Sequence, residues 1–238
     1  MQSAIRAIYP PQCLICETLT EAENGLCGPC WAGIAFIEGT ICDTCGAPLP
    51  GDAHGAPLQC DDCLQTARPW DKGRAVFVYK DLGRQMVLAL KHGDRTELAG
   101  AMGNWMATRA VPLLTPDTLI VPVPLHWSRL LRRKYNQAAL LAQGLSQGLK
   151  RPVLVDGLVR TRRTPSLDGA GREARFAALA DVIAPHPRRG AALAGRDILI
   201  VDDVMTSGAT LAACTEAAHK AGAGLVSVVT LARVVKDA

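Results

Sequence analysis

The residues best suited to chemistry are two neighbouring carboxylates, Asp202 and Asp203, followed after Val-Met by Thr206-Ser207-Gly208-Ala209-Thr210. Small residues let the main chain approach a ligand closely, which is why Gly208 must lack a side chain, and the hydroxyls of Thr206, Ser207 and Thr210 add donors. A turn of N–H groups opening into a helix can hold a phosphate dianion. Carboxylates beside a bare phosphate would repel it. The pattern therefore suits a sugar phosphate, with the acids accepting hydrogen bonds from two vicinal ribose hydroxyls.

A second set of chemical groups lies before residue 64. Eight of the nine cysteines form four Cys-x-x-Cys pairs: Cys13/Cys16, Cys27/Cys30, Cys42/Cys45 and Cys60/Cys63. Each pair can grip one tetrahedral ion from one side, and two pairs close a four-thiolate site. Ten residues separate Cys16 from Cys27 and fourteen separate Cys45 from Cys60, spacings that fit zinc ribbons. Sequential pairing puts one zinc at Cys13, Cys16, Cys27 and Cys30 and another at Cys42, Cys45, Cys60 and Cys63. A cross-braced pairing, an iron–sulfur cluster and disulfides are the alternatives. Gly25, Gly28 and Gly46 lie beside these pairs and would ease their turns. A closed four-cysteine site leaves no position open for catalysis, so the role is structural, and metal must supply much of the folding free energy of so small a module. His54 lies between the last two pairs and is expected to be an exposed loop residue.

The elements that must position these groups follow from periodicity. Ile198 to Val201 is a continuous apolar run, the mark of a buried parallel strand. The acids stand at its carboxyl end, where open α/β sheets collect ligands, and a helix follows over 210–221. Further strands are expected at 75–79, within 118–124, at 153–155 and at 225–231. Helices are expected from Leu82 to His92 with Gly93 as C-cap, from Glu97 to about Ala110, and on to about Leu149 after Gln137. Strands alternating with helices imply a parallel sheet with right-handed crossovers. Residues 64–71 look like a linker, which divides the chain into 1–66 and 67–238. The stretch from Leu158 to Gly195 is arginine-rich and weakly periodic. Cys214 falls on a buried face of the late helix. Trp105, Trp127 and Tyr135 are expected to serve packing rather than to stack a base.

The apolar run, acidic pair and Thr-Ser-Gly-Ala-Thr turn resemble the 5-phosphoribosyl-1-pyrophosphate (PRPP) signature of type I phosphoribosyltransferases. With the multi-cysteine module, Val121-Pro-Val-Pro-Leu-His126, Asn136-Gln137 and Arg160-Thr-Arg-Arg-Thr164, the whole chain resembles the ComF family. The resemblance implies a type I phosphoribosyltransferase-like parallel sheet flanked by helices, behind a small zinc-ribbon module. It implies that Asp202 and Asp203 hold the ribose hydroxyls, that Thr206 to Thr210 (with Ser207, Gly208 and Ala209) cradle the 5′-phosphate, and that Mg2+ accompanies PRPP. The loop with Leu125 and His126, together with Arg129 and Arg133, would grip pyrophosphate; Arg132 and Lys134 crowd the same stretch. Residues 160–172 occupy the place of the catalytic hood, with Gly169 and Gly171 as hinges. Lys91 and His92 end an earlier helix and could reach the ligand, though cations there complementing the helix dipole are the simpler reading. The chain departs from the family at Lys134 (commonly Gly), Leu167 (often Gln) and Ala178 (often Asn).

Composition sets outer bounds. A chain of 238 residues with 49% apolar content makes one or two globular domains, and aromatics, at 4%, leave the core to Ala, Leu and Val. A net charge of +4 fits phosphate-bearing ligands without demanding nucleic acid. Neither a signal-peptide core nor a run of about 18 apolar residues is present, so a soluble cytoplasmic protein with no membrane role is expected. Two functions remain: a Mg2+-dependent phosphoribosyltransferase, or a binding protein that uses the same fold to handle single-stranded DNA. The family's link to natural transformation implies DNA uptake and a helicase-like partner.

Overall fold

The computed structural model describes residues 10–235 except 22, 53–56 and 165–170; His54, Leu167, Asp168 and Gly169 therefore lie outside the described residues. Four strands, β1 (Lys72–Val78), β2 (Leu119–Pro122), β5 (Ile198–Met205) and β6 (Val226–Arg233), form one parallel sheet in the order β1-β6-β5-β2. The expected strand at 153–155 reduces to a single parallel bridge from Val153 to Ile120 on the outer edge of β2. Strand β1 begins three residues earlier than expected, because Gly73 N–H donates to Asp43 O, which draws the strand's start onto the cysteine module.

Side-chain alternation on β5 sorts the core into two halves. Ile198 and Ile200 join one apolar cluster, with Val226 and Val228 of β6. Leu199 and Val201 join the other, with Val229 and Leu231. On the second side lie α3 (Asp81–His92), α4 (Leu98–Ala110) and α6 (Gln137–Leu149). On the first lies α8 (Ala209–Lys220), whose Cys214 is fully buried as expected. Gly93 caps α3, its N–H donating to Ala89 O.

The cysteine module carries two short helices, α1 (Gly28–Ala32) and α2 (Asp61–Gln65). A further helix, α5 (Trp127–Arg133), precedes α6 and was not anticipated as a separate element. Lys134 ends it with φ +68°, a left-handed conformation that glycine adopts freely. Asn136 then caps α6, its side chain accepting from Ala138 N–H. The weakly periodic segment contains β3 (Leu158–Arg160) and β4 (Ile183–Pro185), an antiparallel pair, with α7 (Arg172–Leu179) between them.

The chain leaves β2 for Val153 on one side and returns to β5 on the other. Connections thus diverge at the carboxyl ends of β2 and β5, the geometry that opens a crevice in α/β sheets.

Candidate functional site

The turn after β5 is built as a cradle. Gly208 has φ +82° and stands as the N-cap of α8. The N–H groups of Thr206, Ser207 and Gly208 donate to no acceptor among the described residues. Ala209 N–H is engaged, at 3.4 Å, by Ser207 Oγ. The turn is accessible: Thr206 is exposed, Ser207 and Thr210 are half-buried, and Gly208 and Ala209 lie beneath. Main-chain donors without a partner among the described residues, at the start of a twelve-residue helix, are the kind of arrangement that can hold an anion.

The two acids at the end of β5 differ in environment. Asp203 is buried and its Oδ2 lies 2.9 Å from Lys91 Nζ. Burial works against the Lys91 charge, but the Asp203 carboxylate outweighs it, and the ammonium's pKa is raised. Lys91 therefore does more than complement a helix dipole: the last turn of α3 delivers it to the acidic pair. Asp202 accepts from Asp203 N–H at 2.9 Å. Burial, and then the neighbouring Asp203 charge, push its carboxyl up to about 8. Two carboxyls side by side can meet two vicinal sugar hydroxyls.

Turn and acids line a cleft of about 720 Å³. Seven arginines and lysines face it (Arg84, Lys91, Arg129, Arg132, Arg133, Arg160 and Arg175) against the two carboxylates, among the described residues. Such an excess of one sign concentrates anions. Burial, reinforced by Arg129, lowers the pKa of Arg160, and burial with Arg133 and Lys91 lowers that of His92. Of the residues expected to grip pyrophosphate, Leu125, Arg129 and Arg133 line the cleft. His126 does not. It is buried, and its Nδ1 meets Ser128 Oγ at 2.8 Å and accepts from Ser128 N–H at the start of α5.

The hood segment contributes differently than expected. Arg160 Nη2 donates to Thr164 Oγ1 at 2.7 Å, and Arg129 Nη2 donates to Thr164 O at 3.0 Å, which ties the loop after β2 to the hood. Arg162 turns away to Ala180 O and Arg163 is exposed. Arg175, which sequence reasoning missed, donates to Thr206 Oγ1 at 2.9 Å. Its only sequence cue was its place four residues past Gly171. Tyr135 donates to Leu90 O and Trp105 packs edge-on to Trp31 and Phe36, so both are packing residues; Trp127 is 66% exposed.

The cysteines group sequentially. The sulfurs of Cys13, Cys16, Cys27 and Cys30 lie within 4.8 Å of one another, as do those of Cys42, Cys45, Cys60 and Cys63. Cys16 and Cys27 are 3.5 Å apart and Cys45 and Cys60 3.6 Å, too far for disulfides and near the edge of a tetrahedron with Zn–S bonds of about 2.3 Å. The cross-braced pairing is excluded. Both sets fit structural Zn2+.

A double zinc ribbon domain model matches residues 4–64 and a phosphoribosyl transferase domain model matches 136–237. The chain is 32% identical to DNA utilization protein YhgH of Escherichia coli (strain K12), over 94% of this chain and 97% of that one. It is 29% identical to competence protein F of Haemophilus influenzae, covering 93% and 96%, and 24% identical to competence protein ComFC of Bacillus subtilis (strain 168), covering 84% and 85%. No helix among the described residues is long and apolar enough to cross a membrane. With two ribbon sites, a phosphoribosyltransferase-like sheet and relatives matched nearly end to end, the chain belongs to the ComF family.

Proposed function

We propose that the cleft binds PRPP or a related ribose 5-phosphate with Mg2+, in a cytoplasmic role linked to DNA uptake. The observation that carries this reading is the turn Thr206–Gly208, whose three N–H groups have no acceptor among the described residues and which follows two residues after the acid pair. Thr206, Ser207, Gly208, Ala209 and Thr210 would take the 5′-phosphate, and Asp202 and Asp203 the ribose hydroxyls. Leu125, Arg129 and Arg133 would meet the pyrophosphate, joined by Arg160. Asp203, and Asp202 once it gives up its proton, offer hard carboxylate oxygens to Mg2+, directly or through water, with PRPP supplying other ligands. Were the group transferred, the C1–O bond would break with its electron pair leaving on pyrophosphate, and an acceptor lone pair would form the new bond at C1. The chain's part is positioning and charge stabilisation by the cleft arginines. In this reading residues 67–238 hold the ligand and residues 1–66 support them.

Calorimetry with PRPP and Mg2+ tests the assignment. We expect saturable binding, weakened at least about a hundredfold in Asp202→Asn/Asp203→Asn, the scale of losing two ligand-reading groups. Unchanged affinity would remove the assignment.

A second reading is a non-catalytic protein that handles single-stranded DNA. Helix α5 favours it, with Trp127 and Leu131 exposed beside Arg132 and Lys134. Aromatic rings next to cations can stack bases and track phosphates. Filter binding should then weaken steeply with salt and on neutralising Arg132, Arg133 and Lys134, whereas absence of binding at low salt would dismiss a direct DNA role.

A further inference from the structure

Two arginines behind the cleft hold the carbonyl side of the phosphate turn, and each is tied to a different knuckle of the second four-cysteine site. Arg68 Nη1 donates to Ser207 O at 2.6 Å. Its guanidinium lies over Trp70, 5.5 Å from the ring centroid, and Trp70 Nε1 donates to Thr44 O at 2.6 Å. Thr44 stands between Cys42 and Cys45. From the other side, Arg233 Nη1 donates to Thr206 O at 2.8 Å and to Met205 O at 3.3 Å. Arg233 is 2% exposed, and its Nη2 lies 3.7 Å from Asp62 Oδ2. Asp62 stands between Cys60 and Cys63.

Peptide geometry gives these contacts a consequence. In a trans peptide the C=O of one residue and the N–H of the next lie in one plane and point in opposite directions. Holding the oxygens of Met205, Thr206 and Ser207 therefore orients the N–H groups of Thr206, Ser207 and Gly208. Those N–H groups have no acceptor among the described residues. Charged donors make the stronger class of hydrogen bond, so the turn is held open before any ligand arrives and the ordering cost of binding falls. Gly208 leaves room for the brace: a Cβ there would stand 2.9 Å from Arg68 Nη1 and 3.0 Å from the Trp70 ring.

We propose that the second four-cysteine site is a positioning device for the phosphate turn, acting through Arg68 and Arg233, with one strut from each of its two knuckles. The proposal rests on the reading that this turn takes a phosphate. Neither arginine lines the cleft, so both are positioning residues.

The test uses the full zinc-loaded chain and has two arms. Backbone NMR order parameters at Thr206, Ser207 and Gly208 should fall from about 0.85, the rigid range, to below about 0.6 in Arg68→Ala and in Asp62→Asn. Titration with ribose 5-phosphate should show affinity about tenfold weaker in Arg68→Ala, the worth of one charge-assisted hydrogen bond, and weaker by a smaller factor in Asp62→Asn, whose ion pair with Arg233 at 3.7 Å is longer than a hydrogen bond. Trp70→Phe, which keeps a ring but loses the donor to Thr44 O, should give a smaller loss and add nothing to Arg68→Ala, because both act on one strut. Asp62→Asn should add to Arg68→Ala, because they act on different struts. Arg68→Lys should recover part of the order. Unchanged order parameters in both Arg68→Ala and Asp62→Asn would overturn the brace. If the wild-type chain takes up neither ribose 5-phosphate nor PRPP, the ligand reading fails, and the order parameters still decide the brace.

Discussion

The two zinc ribbons have the same ligands and nearly the same spacing, yet they stand in different relations to the rest of the molecule. The outer site, at Cys13, Cys16, Cys27 and Cys30, leaves Cys16 exposed and Cys27 half-buried. It is fastened by Leu14 and Ile34, by Arg95 Nη2 donating to Leu14 O, and by Trp31 and Phe36 against Trp105. At the inner site Cys42 and Cys45 are fully buried in the same apolar cluster as Met205 and Ala209, which flank the turn after β5. Arg74 pairs with Asp43 at 3.0 Å, and Trp70 reaches Thr44 O. One site is attached to the sheet domain, whereas the other is part of its core. Identical coordination chemistry therefore predicts little about what a metal site does; the neighbours of its knuckles decide that.

The largest expected difference comes from removing one thiolate at each site. Cys45→Ser opens a metal site inside a core, and the melting temperature should fall by at least about 15 °C, with most tertiary signal lost. Cys16→Ser should release one zinc while lowering the melting temperature by less than about 5 °C, because the outer ribbon can open locally. Zinc content and thermal melts on both variants measure this. Equal losses of stability would break the comparison.

Glycines give a milder contrast without touching metal. Gly46, next to Cys45, has φ +71°, and a Cβ there would stand 2.5 to 2.8 Å from the backbone of Arg74 and Ala75. Gly46→Ala should cost about 3 kcal/mol or more in urea unfolding, since both the conformation and the close approach are lost. Gly28, next to Cys27, has nothing within 4 Å of the same position and opens α1. Gly28→Ala should change stability by less than about 0.5 kcal/mol. A knuckle glycine thus matters only where the sheet closes over it.

What could be read in the sequence was local. Ile198–Val201, the acid pair and the turn follow one another along the chain, so a strand, a ligand end and a helix start were legible together. Cysteine spacing gave the sequential pairing for the same reason. The residues missed are those brought in by tertiary folding. Lys91 reaches Asp203 from a helix more than a hundred residues away, and Arg68 reaches Ser207 across 139. Neither has a local pattern that separates it from a solvated cation. Strands β3 and β4 were missed because three-residue strands paired antiparallel carry too few alternations to register. His126 shows the same limit: its position in the loop after β2 gave no sign that its Nδ1 accepts from Ser128 N–H at the start of α5.

The smallest expected effect tests whether acid–base behaviour belongs to the inner half alone. The folded chain holds the Asp202 proton more tightly than the unfolded chain, its carboxyl being pushed up to about 8 from 3.8. The resulting stability is complete below the unfolded value, and is lost as pH rises through the folded one. Thermal melts between about pH 6 and pH 8.5 should therefore show the wild-type midpoint drifting down by a few degrees, on the order of 1 to 2 kcal/mol for a chain this size. Asp202→Asn should lack the slope. Lys91→Met should steepen it and carry it to higher pH, because the ammonium now favours the ionised carboxyl. Cys16→Ser should keep the wild-type slope, since the outer ribbon contributes nothing to the environment of Asp202. A slope that persists in Asp202→Asn, or that vanishes in Cys16→Ser, would mean that the two halves are coupled through the sheet, and that the separation between an attached ribbon and an integrated one is wrong.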